Sequence, residues 1–148
     1  MTVKAILSHK GTGVITIAPT ARLFDAVKVL DEHQIGAVVI TDVDQQLVGI
    51  LSERDVVRTL AHNIRNAGAC QLCDEPVGQV MTRKVETCTQ ADTVQQIMQR
   101  MTERKFRHLP VIENGRLIGI ISIGDVVKHR IREMEFESDA LHQYVLTA

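Results

Sequence analysis

Apolar positions along this chain follow two spacings, and the two alternate in the same order twice. Val3, Ile6 and Leu7 share one face of a predicted short helix over residues 3–10, and the Gly11-Thr12-Gly13 turn ends it. Residues 14–17 read as a short strand that stops at Pro19. Leu23, Ala26, Val27 and Leu30 recur at helical spacing and predict an amphipathic helix, with Thr20 as its candidate N-cap. Gly36 breaks that helix and residues 37–40 form a strand. Residues 42–45 then turn the chain into a strand over residues 47–51. A helix starting at Ser52 is expected to carry Val56, Val57, Leu60, Ala61 and Ile64 inward and to stop at Asn66-Ala67-Gly68.

The second pass begins after a linker. Pro76 opens a helical turn whose Val77, Val80 and Met81 echo Val3, Ile6 and Leu7. Residues 85–88 match 14–17, and Val94, Ile97, Met98 and Met101 repeat the helical stripe. Residues 108–112 are a strand whose Pro110 suits an edge or a strand start. Asn114-Gly115 marks a hairpin into residues 117–121. A last helix from Ser122 runs through Val126, Val127, Ile131 and Met134, and an apolar tail follows over residues 140–146.

The expected organisation is a first repeat over 1–66 with its N-terminal helix, a linker over 67–75, a second repeat over 76–135 and a tail over 136–148. Each repeat reads β-α-β-β-α, an α/β (α+β) unit of about 45 residues that is marginal alone. Two copies are therefore expected to pack sheet to sheet with pseudo-two-fold symmetry, leaving two equivalent clefts.

The strongest match between the halves carries the chemistry. Residues 47–58 read LVGILSERDVVR and residues 117–128 read LIGIISIGDVVK, identical at seven of twelve positions. Each is a strand that turns at a Ser into a helix, with an Asp three residues on. Such a turn exposes backbone N–H groups and the positive end of the helix dipole. Ser52 and Ser122 add hydroxyls there. An ionised Asp55 or Asp125 accepts hydrogen bonds only, and its two oxygens can take two hydroxyls, as on a ribose. Gly49 and Gly119 allow close backbone approach. The same Ser-x-x-Asp spacing also makes a helix-capping box, so the residues alone leave capping and ligand binding both open.

Composition narrows the function classes. With 148 residues, 45% of them hydrophobic, the chain can bury a core, and a net charge of −1 gives no basic field for nucleic acid or membrane. Aromatic residues make up 3% and Trp is absent, so stacking platforms for single strands are missing. No apolar run reaches the roughly 18 residues of a membrane span. Three Cys argue against a disulfide framework, and a cytoplasmic location is expected. Cys70 and Cys73 have redox or half-zinc spacing but sit in the linker without two further ligands, so no metal is expected. His129, among Lys128, Arg130 and Arg132, reads as part of a solvated helix face.

The paired Gly-Ile-x-Ser-x-x-Asp turns, the segments Ile35-Gly36-Ala37-Val38-Val39 and Phe106-Arg107-His108-Leu109-Pro110-Val111, and Val80-Met81-Thr82 together resemble the tandem cystathionine-β-synthase-type (CBS) domain pair, or Bateman module, of small stand-alone bacterial proteins. The resemblance covers roughly residues 3–135. It implies reversible, non-catalytic binding of AMP, ADP, ATP or NAD(H) for signal transduction and energy sensing, with the Asp taking the ribose and the Ser helping. It implies one cleft built from Ser52 and Asp55 with Val85, Glu86, Thr87, Phe106, Arg107 and His108. The other takes Ser122 and Asp125 with Val14, Ile15, Thr16, Ile35, Gly36 and Ala37, and Lys10 or Arg54 is a further candidate there. Since Arg107-His108 corresponds to Gly36-Ala37, the Asp55 cleft is expected to hold phosphate better. The resemblance also implies a homodimer and a regulated protein that the sequence does not name. A structural or docking module without nucleotide is the alternative.

Overall fold

The computed structural model describes residues 1–67 and 74–147, so Cys70, Cys73 and most of the expected linker lie outside the described residues. In chain order the elements are α1 (Val3–Lys10), β1 (Thr16–Ile17), α2 (Leu23–Glu32), β2 (Ala37–Thr41), β3 (Leu47–Ser52), α3 (Glu53–Ala67), a 3-10 turn (Val77–Gln79), α4 (Val94–Arg104), β4 (His108–Glu113), β5 (Arg116–Ser122) and α5 (Ile123–Thr147). They form two compact units. Unit I is Val14–Glu86, and unit II joins Met1–Gly13 to Thr87–Ala148.

In unit I, β2 pairs parallel with β1 and antiparallel with β3. All five β2 residues are buried, as a strand covered on both faces requires. Leu23, Ala26 and Leu30 of α2 pack on Val38, Ile40 and Leu51. Val27, expected on that stripe, is exposed. Arg22, not Thr20, stands at the N-cap of α2, and no side chain caps the helix. The turn after β2 is held by Asp42, whose Oδ1 accepts the N–H groups of Asp44 and Gln46 at 2.9 Å each.

Unit II has β4 antiparallel to β5. Asn114 and Gly115 both have positive φ, +51° and +74°, the left-handed pair that a tight two-residue hairpin needs. Thr93 and Gln96 form a reciprocal capping box at the start of α4. The strand expected over residues 85–88 shrinks to one parallel bridge, in which Cys88 N–H donates to Pro110 O and Cys88 O accepts from Ile112 N–H. Cys88 is buried. Burial, aided by the Asp92 charge and opposed by Arg100, pushes its thiol up to about 12, so it is an inert core group.

The packing units do not follow the expected repeat boundaries at their leading ends. Helix α1 belongs to unit II: Val3 N–H donates to Asp92 O, and Val3, Ile6 and Leu7 join the core of Ile97, Leu109 and Ile121. The turn after Pro76 belongs to unit I: Val77 N–H donates to Ala21 O, and Met81 joins the core of α2 and β3. Each leading segment fills the space above a strand glycine. A methyl on Gly119 would meet Leu7, and a methyl on Gly49 would meet Met81. These glycines therefore make room for an apolar side chain of their own unit, where a ligand's approach was expected.

Two helices also differ from expectation. Val57, Ala61 and Ile64 of α3 face solvent, while Val56 and Leu60 are the residues packed against the core. The expected tail over 136–148 is no separate segment, because α5 runs unbroken to Thr147.

Candidate functional site

The two Ser-x-x-Asp turns are built alike. Each Ser ends a strand that pairs with its neighbour, Ser52 with Ala37 and Ser122 with His108. The first helical N–H of each turn is taken up by the residue before that neighbour: Glu53 N–H donates to Gly36 O and Ile123 N–H to Arg107 O. Two further donors converge on one carboxylate oxygen. Ser52 N–H and hydroxyl donate to Asp55 Oδ2 at 3.0 and 3.1 Å, and Ser122 N–H and hydroxyl to Asp125 Oδ2 at 2.8 and 3.0 Å. In return the Asp55 and Asp125 N–H groups donate to the Ser oxygens. Both turns are thus closed capping boxes, and the capping reading accounts for Oδ2 in each.

The second oxygen separates the copies. Asp55 Oδ1 accepts the Thr82 hydroxyl at 3.2 Å, with Thr82 held by paired backbone bonds to Ile50. Asp125 Oδ1 has no hydrogen-bond partner among the described residues; Lys10 donates to Oδ2 at 2.7 Å and to Ile120 O at 2.8 Å. Half-burial alone would push the Asp125 carboxyl up, but the Lys10 bond and charge and the Ser122 donors outweigh it and hold it below the ordinary carboxylate range. Its contribution to stability is therefore complete above the unfolded value of about 3.9 and is lost as pH falls through the lower folded value. Urea unfolding of wild type and Lys10→Met should show a stability gap at neutral pH that narrows below about pH 4. A gap that stays constant into acid would contradict the assignment.

Thr82 has no predicted role, yet the repeat carried a signal for it. Residues 3–10 and 77–84 read VKAILSHK and VGQVMTRK, so Thr82 falls opposite Ser8 and Lys84 opposite Lys10. The copies diverge because Gly78 replaces Lys4. Its N–H donates to Pro19 O, and a methyl there would stand 3.1 Å from that oxygen. The helix stops after one turn, and Thr82 pairs with Ile50. Ser8 stays helical and bonds Lys4 O, leaving Lys10 to reach Asp125.

The other expected ligand residues are distributed over both units. Unit I holds Val14, Ile15, Thr16, Ile35, Gly36, Ala37, Val85 and Glu86; unit II holds Lys10, Thr87, Phe106, Arg107 and His108. Of these, Gly36 and Ala37 border the Ser52 turn, while Arg107, His108 and Lys10 border the Ser122 turn. Phe106 packs on the unit II core, Ile15 on the unit I core, and Thr87 O accepts from Arg100. His129 is not on a solvated face. It is 5% exposed, its Nδ1 lies 3.2 Å from Asp125 O, and its ring meets His9 edge-on at 5.3 Å. No helix among the described residues is long and apolar enough to cross a membrane.

Comparison with known proteins agrees with the duplication. The CBS domain family model matches residues 3–62 and again residues 77–132. The chain is 36% identical over 127 residues to a mitochondrial CBS domain-containing protein of Arabidopsis thaliana, covering 83% of this chain but 59% of that longer protein. A solved CBS-domain containing protein from Agrobacterium tumefaciens is 45% identical, with a TM-score of 0.81 over 88% of this chain and 99% of that one. A CBS domain pair solved with 5′-methylthioadenosine and S-adenosyl-L-methionine has a TM-score of 0.77 at 25% identity, over 90% of this chain and 98% of its own. The CBSX2 protein solved with AMP has a TM-score of 0.71, also at 25% identity, over the same shares. Matched in both of its repeats, the chain belongs to the CBS domain family, as a tandem pair similar to small bacterial CBS-domain proteins.

Proposed function

We propose that this pair is a regulatory module that binds an adenosine derivative reversibly at its Ser-x-x-Asp turns and carries out no reaction of its own. The observation that carries the reading is the division of labour within the Asp125 carboxylate. Oδ2 is fixed by the helix cap, which orients the group, and Oδ1 remains to accept from a ligand, whereas the Asp55 Oδ1 also takes the Thr82 hydroxyl. A fixed anionic acceptor beside a Ser hydroxyl suits the vicinal hydroxyls of a ribose. Ribose is common to AMP, ADP, ATP, NAD(H), 5′-methylthioadenosine and S-adenosylmethionine, and the ligands of the two solved relatives are drawn from that set. The turns are unequal: Lys10 places a cation at Asp125, whereas Asp55 meets the neutral Thr82. Binding that favours one arrangement of the pair over another is all that a sensor needs.

Isothermal titration with AMP, ATP, NADH and S-adenosylmethionine tests the proposal. Saturable heat with at least one of them is expected. No heat with any of the four at saturating protein would overturn it and leave the docking-module reading, in which the turns are only caps.

A further inference from the structure

At the far end of β2 from the Ser52 turn, unit I has a hollow of about 440 Å³. Ala37 pairs with Ser52 and Thr41 with Leu47, so the two places lie about 13 Å apart along the strand. The hollow opens where the parallel strands β1 and β2 end, between the loop that leads into α2 and the turn that leads into β3. The carboxyl ends of parallel strands are where α/β sheets commonly take ligands. Ile17, Pro19 and Val43 give the hollow apolar walls. Val43 is 94% exposed, an apolar residue at a turn position that polar residues normally fill. Thr41 and Asp42 bring polar groups to the same lining, and the fold leaves part of each unused. Thr41 is 6% exposed, yet its hydroxyl makes no hydrogen bond among the described residues. Asp42 Oδ1 accepts the Asp44 and Gln46 N–H groups, which pins the carboxylate. Oδ2 accepts nothing, and Asp42 makes no ion pair among the described residues. A buried hydroxyl and a half-buried, pinned charge without partners are costly to keep.

We propose that this hollow is a binding site for a small organic cation, a primary ammonium carried on an apolar body. A carboxylate is acceptor-only and needs a donor. Asp44 adds a second carboxylate to the same turn, and the nine lining residues include no Lys, Arg or His. An anion, or the carboxylate of a zwitterion, therefore finds no partner there. A metal ion fits poorly as well. Asp42 is the one carboxylate in the lining, the walls are apolar, and no group of three His, Cys, Asp or Glu among the described residues could hold one. An ammonium has three donors, enough for Asp42 Oδ2 and the Thr41 hydroxyl together. Its apolar body has Ile17, Pro19 and Val43 to lie against, in a volume typical of small-molecule sites. The hollow shares no residue with the Ser-x-x-Asp turns, and the inference does not depend on the adenosine reading.

Backbone amide spectra of the full chain, followed during titration, test the site. The probes are phenethylamine, its neutral counterpart phenethyl alcohol, and the anion phenylacetate. Saturable shifts are expected at Ile17, Thr20 and residues 41–46. The amine should bind about 10-fold tighter than the alcohol, and phenylacetate should not bind. Asp42→Asn keeps an oxygen for the Asp44 and Gln46 N–H groups, so the turn should persist while the amine loses its advantage over the alcohol. Thr41→Val, of nearly the same shape, should weaken the amine by about threefold. Asp139→Asn, which removes an exposed carboxylate on α5, should change nothing. Equal affinity for amine and alcohol in the wild-type chain would overturn the proposal without recourse to any variant. So would shifts centred elsewhere, no saturable shift with the amine, or an Asp42→Asn chain that keeps the preference.

Discussion

Asp125→Asn should leave unit II folded and cost the ligand about 10- to 100-fold in affinity, the worth of a hydrogen bond to a charged group. The reason lies in counting acceptors. The carboxylate has two oxygens; Oδ2 already takes the Ser122 N–H and hydroxyl. An amide has one oxygen and one donor NH2. If its oxygen serves the cap, an NH2 faces the ligand hydroxyls. If its oxygen turns to the ligand, the NH2 is thrust at the Ser122 N–H. Either way one task is lost, and the cap, being local and always present, keeps the oxygen. The stability cost is the lost charge at the helix start and at Lys10, about 1 kcal/mol. Asp125→Ala removes the cap's return bond as well and should cost about 1–2 kcal/mol more. The comparison separates the two readings of the turn. A pure capping residue tolerates Asn in every assay, while a ribose acceptor tolerates it only in the stability assay. At Asp55 the contrast should be smaller, because the Thr82 hydroxyl already occupies Oδ1 and can accept from the new NH2. Equal ligand affinity in wild type and Asp125→Asn, with titration heats otherwise intact, would remove Asp125 from the site.

Much of this was legible in the chain because periodicity records burial directly. Val94, Ile97 and Met101 repeat the spacing of Leu23, Ala26 and Leu30, and all six are core residues. Asn114-Gly115 announces its turn because few residues accept positive φ twice in succession. The duplicated turn was legible as a capping box and is one. What the sequence left open has a common cause. Two similar copies offer similar receptors, so local chemistry does not say which core a leading segment fills. Leu7 and Met81 are near equivalents, and so are Gly49 and Gly119; only the fold assigns Leu7 to Gly119. The strand over residues 85–88 failed because its apolar pattern is satisfied by one bridge at Cys88. On α5, the expected boundary between residues 135 and 136 has no Gly or Pro beside it to end a helix. Val57 and Ile64 misled for the opposite reason: periodicity predicts an apolar face without saying that its own unit covers it.

Gly119→Ala should be the most destabilising single methyl that either duplicated strand can receive, at about 2–3 kcal/mol, the upper range for an overpacked core. The new carbon would stand 2.7 Å from Leu7 Cδ2 and 3.3 Å from Cδ1. Leu7 is buried, 4% exposed, in the same core cluster as Val3, Ile6 and Ile121. Its branched end moves as a unit, so relieving one methyl drives the other into a neighbour. Gly49→Ala is the instructive partner. Its methyl would meet the Met81 thioether even more closely, with Cγ at 2.9 Å. Yet an unbranched side chain with three rotatable bonds can swing clear, and the cost should be about 1 kcal/mol. The ordering therefore runs against the bare distances and with side-chain flexibility. A double-mutant cycle checks the cause. Leu7→Ala alone should cost about 2–4 kcal/mol through the cavity it leaves. Combined with Gly119→Ala, the added methyl occupies part of that space, and the pair should be less destabilised than the sum by about 1 kcal/mol or more. Urea unfolding of the four chains measures all of it. Strict additivity, or a Gly49→Ala chain weaker than Gly119→Ala, would mean that these glycines are not there to seat Leu7 and Met81.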